Sequence, residues 1–473
     1  MRVRIKCIEP EEGLRLARRF IELSAPDRRS FLEALHEAGV QFAQLPILSD
    51  IDGEDRNKLS PAQLRIWSVW ERDRDSAVWN VSCATRLMGR LNVPAFHRAM
   101  DSVIARHEIL STAFTYEPGA GPRAAPATRL SRVVHTDMRA LPRSQRERCV
   151  KALAEHHASQ PFDLANGPLL RVDLLKLTDH ERVLLLCMHR LISDQVSLQV
   201  LVDALMHCYR AYEAGGEPDW EPLPIQYYDY ALWQRRRLEA ATVDVRPEVA
   251  TAGYCCACIH LSIDAALTER LRVLARRRQL ALFTVLTGTF TILLSHDGDQ
   301  TDVRIGISMS NRHRVETREL IGCLADLLVM RARVAAGMRV DEFLGGLERA
   351  QAAAQTDSDR PCAPDSSLVQ VIYSHDAPPA SYGPHRIGDG LTLSPLAAPR
   401  RIAECELSLN MYERGDQLHA VLTYATDRFD VETIERWREH WNVLLDSIAA
   451  DPARRIGTLP RLAATQQRYA LSS

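Results

Sequence analysis

Residues 189–195, with the sequence His-Arg-Leu-Ile-Ser-Asp-Gln, are the stretch of this chain whose side chains could do acid–base chemistry. Histidine and aspartate can serve as general bases when they are held close to a reacting group. Arg190 cannot, because its pKa lies above about 12 and it offers hydrogen-bond donors but no acceptor. We interpret His189 and Asp194 as structural rather than catalytic, since buried polar groups in such a loop must be paired.

A strand and a helix are expected to hold this stretch. Residues 183–188 form a continuous apolar run, which is typical of a strand buried on both faces. Residues 198–209 carry apolar side chains at helical spacing. Asp194 is placed to cap that helix. Arg190 is expected to contact Asp194, another acid or carbonyl oxygens, because a buried arginine needs partners.

Two other clusters contain side chains of the types that bind metals. Cys255, Cys256 and Cys258 are close in sequence, but strand alternation would separate Cys255 from the other two, and no second ligand pair has a suitable spacing. We interpret them as buried small hydrophobic side chains. His156 and His157 are adjacent on a predicted helix and are interpreted as part of a solvated face. The sequence therefore predicts no bound metal.

The composition excludes several classes of protein. The chain has 473 residues, of which 46% are hydrophobic and 25% charged, and this is enough apolar surface for more than one core. The net charge of −2 provides no basic field for nucleic acid. No apolar run approaches the roughly 18–20 residues of a membrane span, and the charged start is not a signal peptide. Eleven scattered cysteines indicate reduced thiols and a cytoplasmic location.

The order of the predicted elements indicates an α/β or α+β fold with two sheet-and-helix lobes. Two helices within residues 11–40 open the chain, and Gly39 ends the second. Residues 117–127 are predicted to be a loop from their Gly and Pro content, and residues 214–225 a lobe boundary. The predicted divisions are 1–57 for a helical leader and linker, 58–220 for the first lobe, 221–462 for the second lobe and 463–473 for a closing linker.

Five further segments form an ordered series. They are Leu59-Ser60-Pro61-Ala62-Gln63 with Trp67; Arg106-His107-Glu108-Ile109-Leu110 with Thr112 and Phe114; Pro161-Phe162-Asp163-Leu164 with Gly167-Pro168-Leu169-Leu170-Arg171; Gln226-Tyr227-Tyr228-Asp229-Tyr230-Ala231 with Trp233-Gln234; and Ile321-Gly322-Cys323-Leu324-Ala325-Asp326-Leu327-Leu328-Val329-Met330-Arg331. Together they resemble the condensation domains of nonribosomal peptide synthetases, with Asp326 where that family usually has Asn.

The resemblance implies two chloramphenicol-acetyltransferase-like lobes that form a V-shaped pseudo-dimer with a central tunnel. Carrier proteins would deliver substrates to it on phosphopantetheine. The family motif at positions 189–195 is His-His-x-x-x-Asp-Gly. Here His189 and Asp194 match, whereas Arg190 replaces the second His and Gln195 replaces the Gly. The second His positions or deprotonates the attacking amine, so no catalytic set is intact. A motif Gly can hold unusual backbone angles or let a substrate pass close.

The broken motif resembles that of interface domains or X domains, which recruit tailoring oxygenases. Residues 469–473 resemble the opening of another condensation domain, and this tandem order favours the interface class. The implied partners are a carrier protein, the adjacent condensation domain and an iron- and 2-oxoglutarate-dependent β-hydroxylase acting on carrier-bound aspartate in siderophore-type synthesis. No cofactor is expected on this chain itself. The alternatives are an active condensation or epimerisation domain, an X-type domain that recruits a haem monooxygenase, or a spacer.

Overall fold

The structure is a computed structural model that describes residues 8–49, 55–241, 254–298, 300–356, 369–375, 385–387, 390–396 and 402–461. Helices and strands are mixed along the chain, as the sequence predicted. The helices are α1 (Pro10–Glu22), α2 (Ala25–Glu37), α3 (Pro61–Trp70), α4 (Val93–Arg106), α5 (Arg143–Ser159), α6 (Gln195–Glu213), α7 (Tyr227–Ala241), α8 (Ala265–Arg278), α9 (Leu282–Gly298), α10 (Val340–Thr356) and α11 (Val431–Ala450).

Most strands belong to two large sheets, and the remaining pair forms a small hairpin. The strands are β1 (Asn80–Met88), β2 (Thr112–Glu117), β3 (Gly121–Pro126), β4 (Val133–Asp137), β5 (Leu170–Lys176), β6 (Glu181–His189), β7 (Tyr254–Ile263), β8 (Asp302–Met309), β9 (Asp326–Arg333), β10 (Val371–His375), β11 (His385–Ile387), β12 (Leu391–Leu396), β13 (Ile402–Ala403), β14 (Leu407–Arg414) and β15 (Gln417–Ala425).

The first lobe is built on a six-stranded sheet in the order β11-β12-β1-β6-β5-β4. β6 lies inside it and is buried on both faces. Leu184 and Leu186 point into the core shared with α4 and α6, while Val183 and Leu185 point into a smaller core shared with α5. Successive side chains on a strand point to opposite faces, so a strand covered on both sides needs a continuous apolar run. This confirms the prediction for residues 183–188.

The second lobe is built on a seven-stranded sheet in the order β13-β7-β15-β14-β10-β8-β9. Its core packs alternate residues of β8, β14 and β15 against α8, α9 and α11. Residues 284–295 of α9 are buried on every side of the helix, which is typical of a helix between other layers. Among the described residues, no single helix is long and apolar enough to cross a membrane; α8 and α9 reach that length only as a pair bent by 107°.

The two lobes exchange segments. β12 pairs with β1 and β11 pairs with β12, so these two strands complete the sheet of the first lobe although they come from the second half of the chain. A division of the chain at residue 220 does not describe this sheet. In the opposite direction, Leu320, Ile321, Cys323 and Leu324 of the β8–β9 connection lie in the core of the first lobe. The predicted closing linker at 463–473 lies outside the described residues.

Three local predictions were wrong. Residues 117–127 are not a loop, because β2 and β3 pair from Thr112 with Pro126 to Glu117 with Gly121, and the turn needs only three residues. Gly and Pro content marks a turn, but it does not limit how far the flanking strands extend. Cys255 and Cys258 are exposed rather than buried. His157 is buried on α5, where its Nε2 lies 2.7 Å from an Asp173 carboxylate oxygen.

Candidate functional site

The stretch at 189–195 lies at the junction of the two lobes. β6 ends at His189, a single 3-10 turn covers Arg190–Ile192, and α6 begins at Gln195. The carboxylate of Asp194 accepts a hydrogen bond from the Ser197 backbone N–H at 2.7 Å. Asp194 is therefore the N-cap of α6, as its position in the sequence predicted.

His189 is a buried, neutral side chain. Its Nδ1 accepts a hydrogen bond from the Leu191 backbone N–H at 3.2 Å, which places the proton on Nε2. Burial lowers the pKa of His189 to about 3, with a smaller contribution from the nearby charge of Arg171. The ring packs edge-on against Phe162 at 6.0 Å between centroids. These contacts are compatible with the structural interpretation of His189, which stays a prediction.

Asp194 is fully buried, and its carboxylate accepts four hydrogen bonds. Its Oδ1 accepts from the N–H and the hydroxyl of Ser197, each at 2.7 Å, and from Nη2 of Arg312 at 2.9 Å. Its Oδ2 accepts from the Ala325 backbone N–H at 3.0 Å. Arg312 and Ala325 both lie on the β8–β9 connection. The carboxylate therefore joins the first lobe to a segment of the second.

Close packing of the same segment against α7 reinforces this junction. The Gly322 N–H donates to the Ser197 hydroxyl at 3.1 Å, and a Cβ at Gly322 would lie only 2.0 Å from the ring of Tyr227. The Tyr227 hydroxyl donates to the Cys323 carbonyl at 3.0 Å and lies 2.9 Å from the Ser60 hydroxyl. Glycine is needed at 322 because the segment passes directly over an aromatic ring.

Arg190 is half-buried at the start of the 3-10 turn, and its backbone N–H donates to the Trp79 carbonyl at 2.8 Å. Its charge acts on Cys323 of the β8–β9 connection. Burial raises the pKa of Cys323 to about 12, and the largest opposing influence on that thiol is Arg190. The cation bound to Asp194 is Arg312, which lies 118 residues further along the chain. The expectation that Arg190 contacts an acid or carbonyl oxygens stays a prediction.

Gln195 is exposed and is the first residue of α6. Its backbone is therefore right-handed helical, a conformation that residues with a Cβ adopt readily. The replacement of the motif Gly does not strain the chain. The backbone at position 195 therefore does not need a Gly to hold unusual angles. The other reason for a Gly in the motif, close passage of a substrate, stays open.

Sequence reasoning missed three members of this site, namely Ser197, Arg312 and Tyr227. Gly322 and Tyr227 fell within segments that carried the resemblance, but nothing in their spacing indicated that they touch. Arg312 had no local signal, since a single arginine in a connection between strands is an ordinary surface residue. Among the described residues, no group of three or more His, Cys, Asp and Glu side chains is arranged to hold a metal.

Comparison with known proteins agrees with this geometry. A family model for the condensation domain matches residues 54–246 and 383–469, which is more than half of the chain. The chain belongs to the condensation domain family. The matched ranges include the strands exchanged between the lobes and the whole of the stretch at 189–195.

The curated relatives are peptide synthetases. A linear gramicidin synthase polypeptide of Brevibacillus parabrevis is 30% identical over 452 residues, which cover 88% of this chain and 6% of that protein. Phosphinothricin tripeptide synthetase PhsC of Streptomyces viridochromogenes is 30% identical over 488 residues, which cover 96% of this chain and 45% of that protein. This condensation domain thus spans less than half of the length of either relative.

Solved structures establish the two-lobe fold. The X-domain from teicoplanin biosynthesis is 25% identical with a TM-score of 0.75, covering 88% of this chain and 100% of that one. The same X-domain in complex with OxyB gives 0.74, covering 89% and 99%. The first condensation domain of the CDA synthetase is 16% identical with a TM-score of 0.68, covering 86% and 99%. The predicted chloramphenicol-acetyltransferase-like pseudo-dimer is confirmed.

Replacing the carboxylate that joins the lobes should destabilise the domain strongly. Asp194→Asn leaves the Arg312 guanidinium buried without its counter-charge, and breaking a buried pair in this way costs about 3–5 kcal/mol. We expect urea unfolding of the domain to show a loss of this size. The matched control is Asp446→Asn, which removes an exposed carboxylate 2.7 Å from Arg270 and should give no measurable change. Equal effects of the two variants would contradict the proposed junction.

The burial of His189 predicts a loss of stability in acid. Because its folded-state pKa is lowered to about 3, the unfolded chain binds the proton first as the pH falls below its ordinary value of about 6.5. The stabilisation is complete above about pH 6.5 and is lost between about pH 6.5 and 3. From pH 7 to pH 5 the loss is about 2 kcal/mol.

The test is urea unfolding of wild type and His189→Leu at pH 7 and pH 5. Between these two pH values, the free energy of unfolding should decrease by about 2 kcal/mol less in His189→Leu than in the wild type. The exposed control His180→Leu should keep the wild-type decrease, and a decrease in His189→Leu as large as in the wild type would refute the assignment.

Proposed function

We propose that this condensation domain is a non-catalytic part of a nonribosomal peptide synthetase that recruits an oxygenase to a carrier-bound amino acid. Arg190 is the observation that carries the proposal. It occupies the position of the second motif His, and a guanidinium has no lone pair with which to accept a proton from an attacking amine. A positioned base contributes roughly 10²–10⁴-fold to such a reaction. That contribution is lost here.

The surroundings of Arg190 support the same conclusion. His189 is enclosed, and each carboxylate oxygen of Asp194 already accepts hydrogen bonds from the protein. Neither of the two remaining motif residues can replace the missing base. The contacts of Asp194 hold the lobes together, and the described contacts of His189 and Asp194 leave neither side chain free to accept a proton from an attacking amine.

The likeness to the teicoplanin X-domain supports recruitment. At 25% identity it extends over nearly all of that chain, and the X-domain has been solved in complex with OxyB. By analogy, the partner of this chain is an oxygenase that reaches a substrate held on the phosphopantetheine of a carrier protein. The oxygenase supplies the iron chemistry, so this chain needs no cofactor for its role.

Two classes of oxygenase are candidates. The first is an iron- and 2-oxoglutarate-dependent β-hydroxylase acting on carrier-bound aspartate in siderophore-type synthesis. The second is a haem monooxygenase, the partner class implied by the likeness to X domains. A stable docking surface for either would bury roughly 1,200–2,000 Å² in total.

A direct assay tests the loss of catalysis. Donor and acceptor are loaded on their carrier proteins, the domain is added, and the acceptor carrier is followed by intact-mass measurement. We expect no product above the rate without the domain. Arg190→His alone should restore little activity, because Gln195 remains. A wild-type rate close to that of a homologue with an intact motif would show that the domain is a condensation enzyme.

Recruitment is tested by hydroxylation of the carrier-bound amino acid. A β-hydroxylase and an aspartyl carrier are mixed with and without this domain, and a haem monooxygenase is tested in parallel with its own loaded carrier. The domain should accelerate one of the two reactions and form a complex detectable by calorimetry. The matched control is a condensation domain with an intact motif, which should do neither. Equal rates with and without the domain for both enzymes would contradict recruitment and favour the spacer role.

A further inference from the structure

Three consecutive residues of the β8–β9 connection join two distant parts of the molecule. Arg312 faces the centre of the lobe junction, where its Nη2 donates to the Asp194 carboxylate and to the Ser197 hydroxyl, each at 2.9 Å. Its side chain is 7% exposed. Arg312 therefore binds directly to Asp194, one of the two motif residues that match the family.

Arg314 faces the opposite way, towards the helical leader, which we define as residues 10–47. Its Nη1 donates to the Leu45 carbonyl at 2.6 Å, and its Nη2 reaches the Phe42 carbonyl at 3.4 Å. The guanidinium also lies over the ring of Trp233, 4.5 Å from its centroid. Arg314 is buried. A buried arginine with two carbonyl acceptors and an aromatic face holds its partner segment tightly.

The leader is attached to both lobes around this arginine. Phe42 stacks on Trp233 of α7 at 5.5 Å with an angle of 15° between the rings. Arg28 of α2 forms an ion pair with Glu239 of α7 at 3.2 Å. The Ile47 N–H donates to Glu316 of the β8–β9 connection at 3.2 Å. The leader thus lies against the first lobe through α7 and against the second lobe through residues 314–316.

Hydrogen bonds on either side of the two arginines hold the β8–β9 connection in shape. Asn311 has a left-handed backbone with a φ of 54°, and its side chain donates to the Leu324 carbonyl at 2.8 Å. The Thr317 hydroxyl donates to the Asn311 carbonyl at 3.1 Å. These bonds close the connection on itself. Arg312 and Arg314 are therefore held in one closed piece of chain, with one side chain on Asp194 and the other on the leader.

We propose that the leader and the Asp194 centre are coupled through residues 312–314. Anything that displaces residues 42–45 of the leader weakens the Arg312–Asp194 pair and loosens the junction of the lobes. Conversely, an intact junction holds the leader on α7. The coupling makes the leader a control element for the angle between the lobes, and it does not depend on which partner the domain recruits.

Hydrogen exchange of the whole chain, read by mass spectrometry, tests the coupling. In Arg314→Met, amides of the leader should exchange about ten-fold faster, because bonds to a charged donor are lost. The Ser197 and Ala325 amides, which bond to Asp194, should accelerate by a similar factor. The matched control is Arg318→Met, which alters an exposed arginine in the same connection and should change neither region.

A second variant changes the leader itself. Phe42→Ala removes the ring that stacks on Trp233 and leaves every residue of the β8–β9 connection unchanged. It should accelerate the same amides near Asp194 while those of β15, inside the second lobe, keep their wild-type rates. Acceleration confined to the leader in both variants would overturn the coupling. So would an equal acceleration in β15, because that would report general destabilisation.

Discussion

A buried carboxylate at the junction of the lobes sets the strongest constraint on this structure. Removing Asp194 from water costs several kcal/mol unless every lone pair finds a donor. The donors come from three places: the first turn of α6, the Arg312 guanidinium and the Ala325 backbone. Two of these belong to the second lobe, so the β8–β9 connection must enter the first lobe and stay there. Gly322 is part of the same constraint, because only a residue without a Cβ can pass over Tyr227 at that distance.

This constraint separates the structural part of the family motif from its chemical part. His189 and Asp194 are retained because they close the end of β6, cap α6 and hold the second lobe. Arg190 occupies the position that removes a proton in active members, and it brings a permanent charge instead. Replacement of the second motif His by Arg190 therefore requires no loss of architecture. The domain keeps the two-lobe form of its family.

The leader extends the junction to the outside of the molecule. Its Phe42 and Leu45 lie against Trp233 and Arg314, and Arg314 is only two residues from the arginine that binds Asp194. This helical segment is thus in contact with both lobes close to Asp194. Exchanged strands at residues 385–396 and the β8–β9 connection tie the lobes in the same region. The lobes are therefore joined by polar contacts as well as by packing.

Local sequence determined the elements next to the site. The apolar run at 183–188 fixed a doubly covered strand, Asp194 before an amphipathic stretch fixed a helix cap, and Arg190 excluded a general base, because each depends only on residue type and short-range geometry. The ordered segments also determined the family. Tertiary structure decided which cation meets Asp194, since a partner 118 residues away leaves no trace in local spacing. It also decided that His157 is buried and Cys258 exposed, that residues 385–396 join the first sheet, and that the leader touches both lobes. These depend on long-range packing, in which burial is set by what covers a residue and not by its neighbours in sequence.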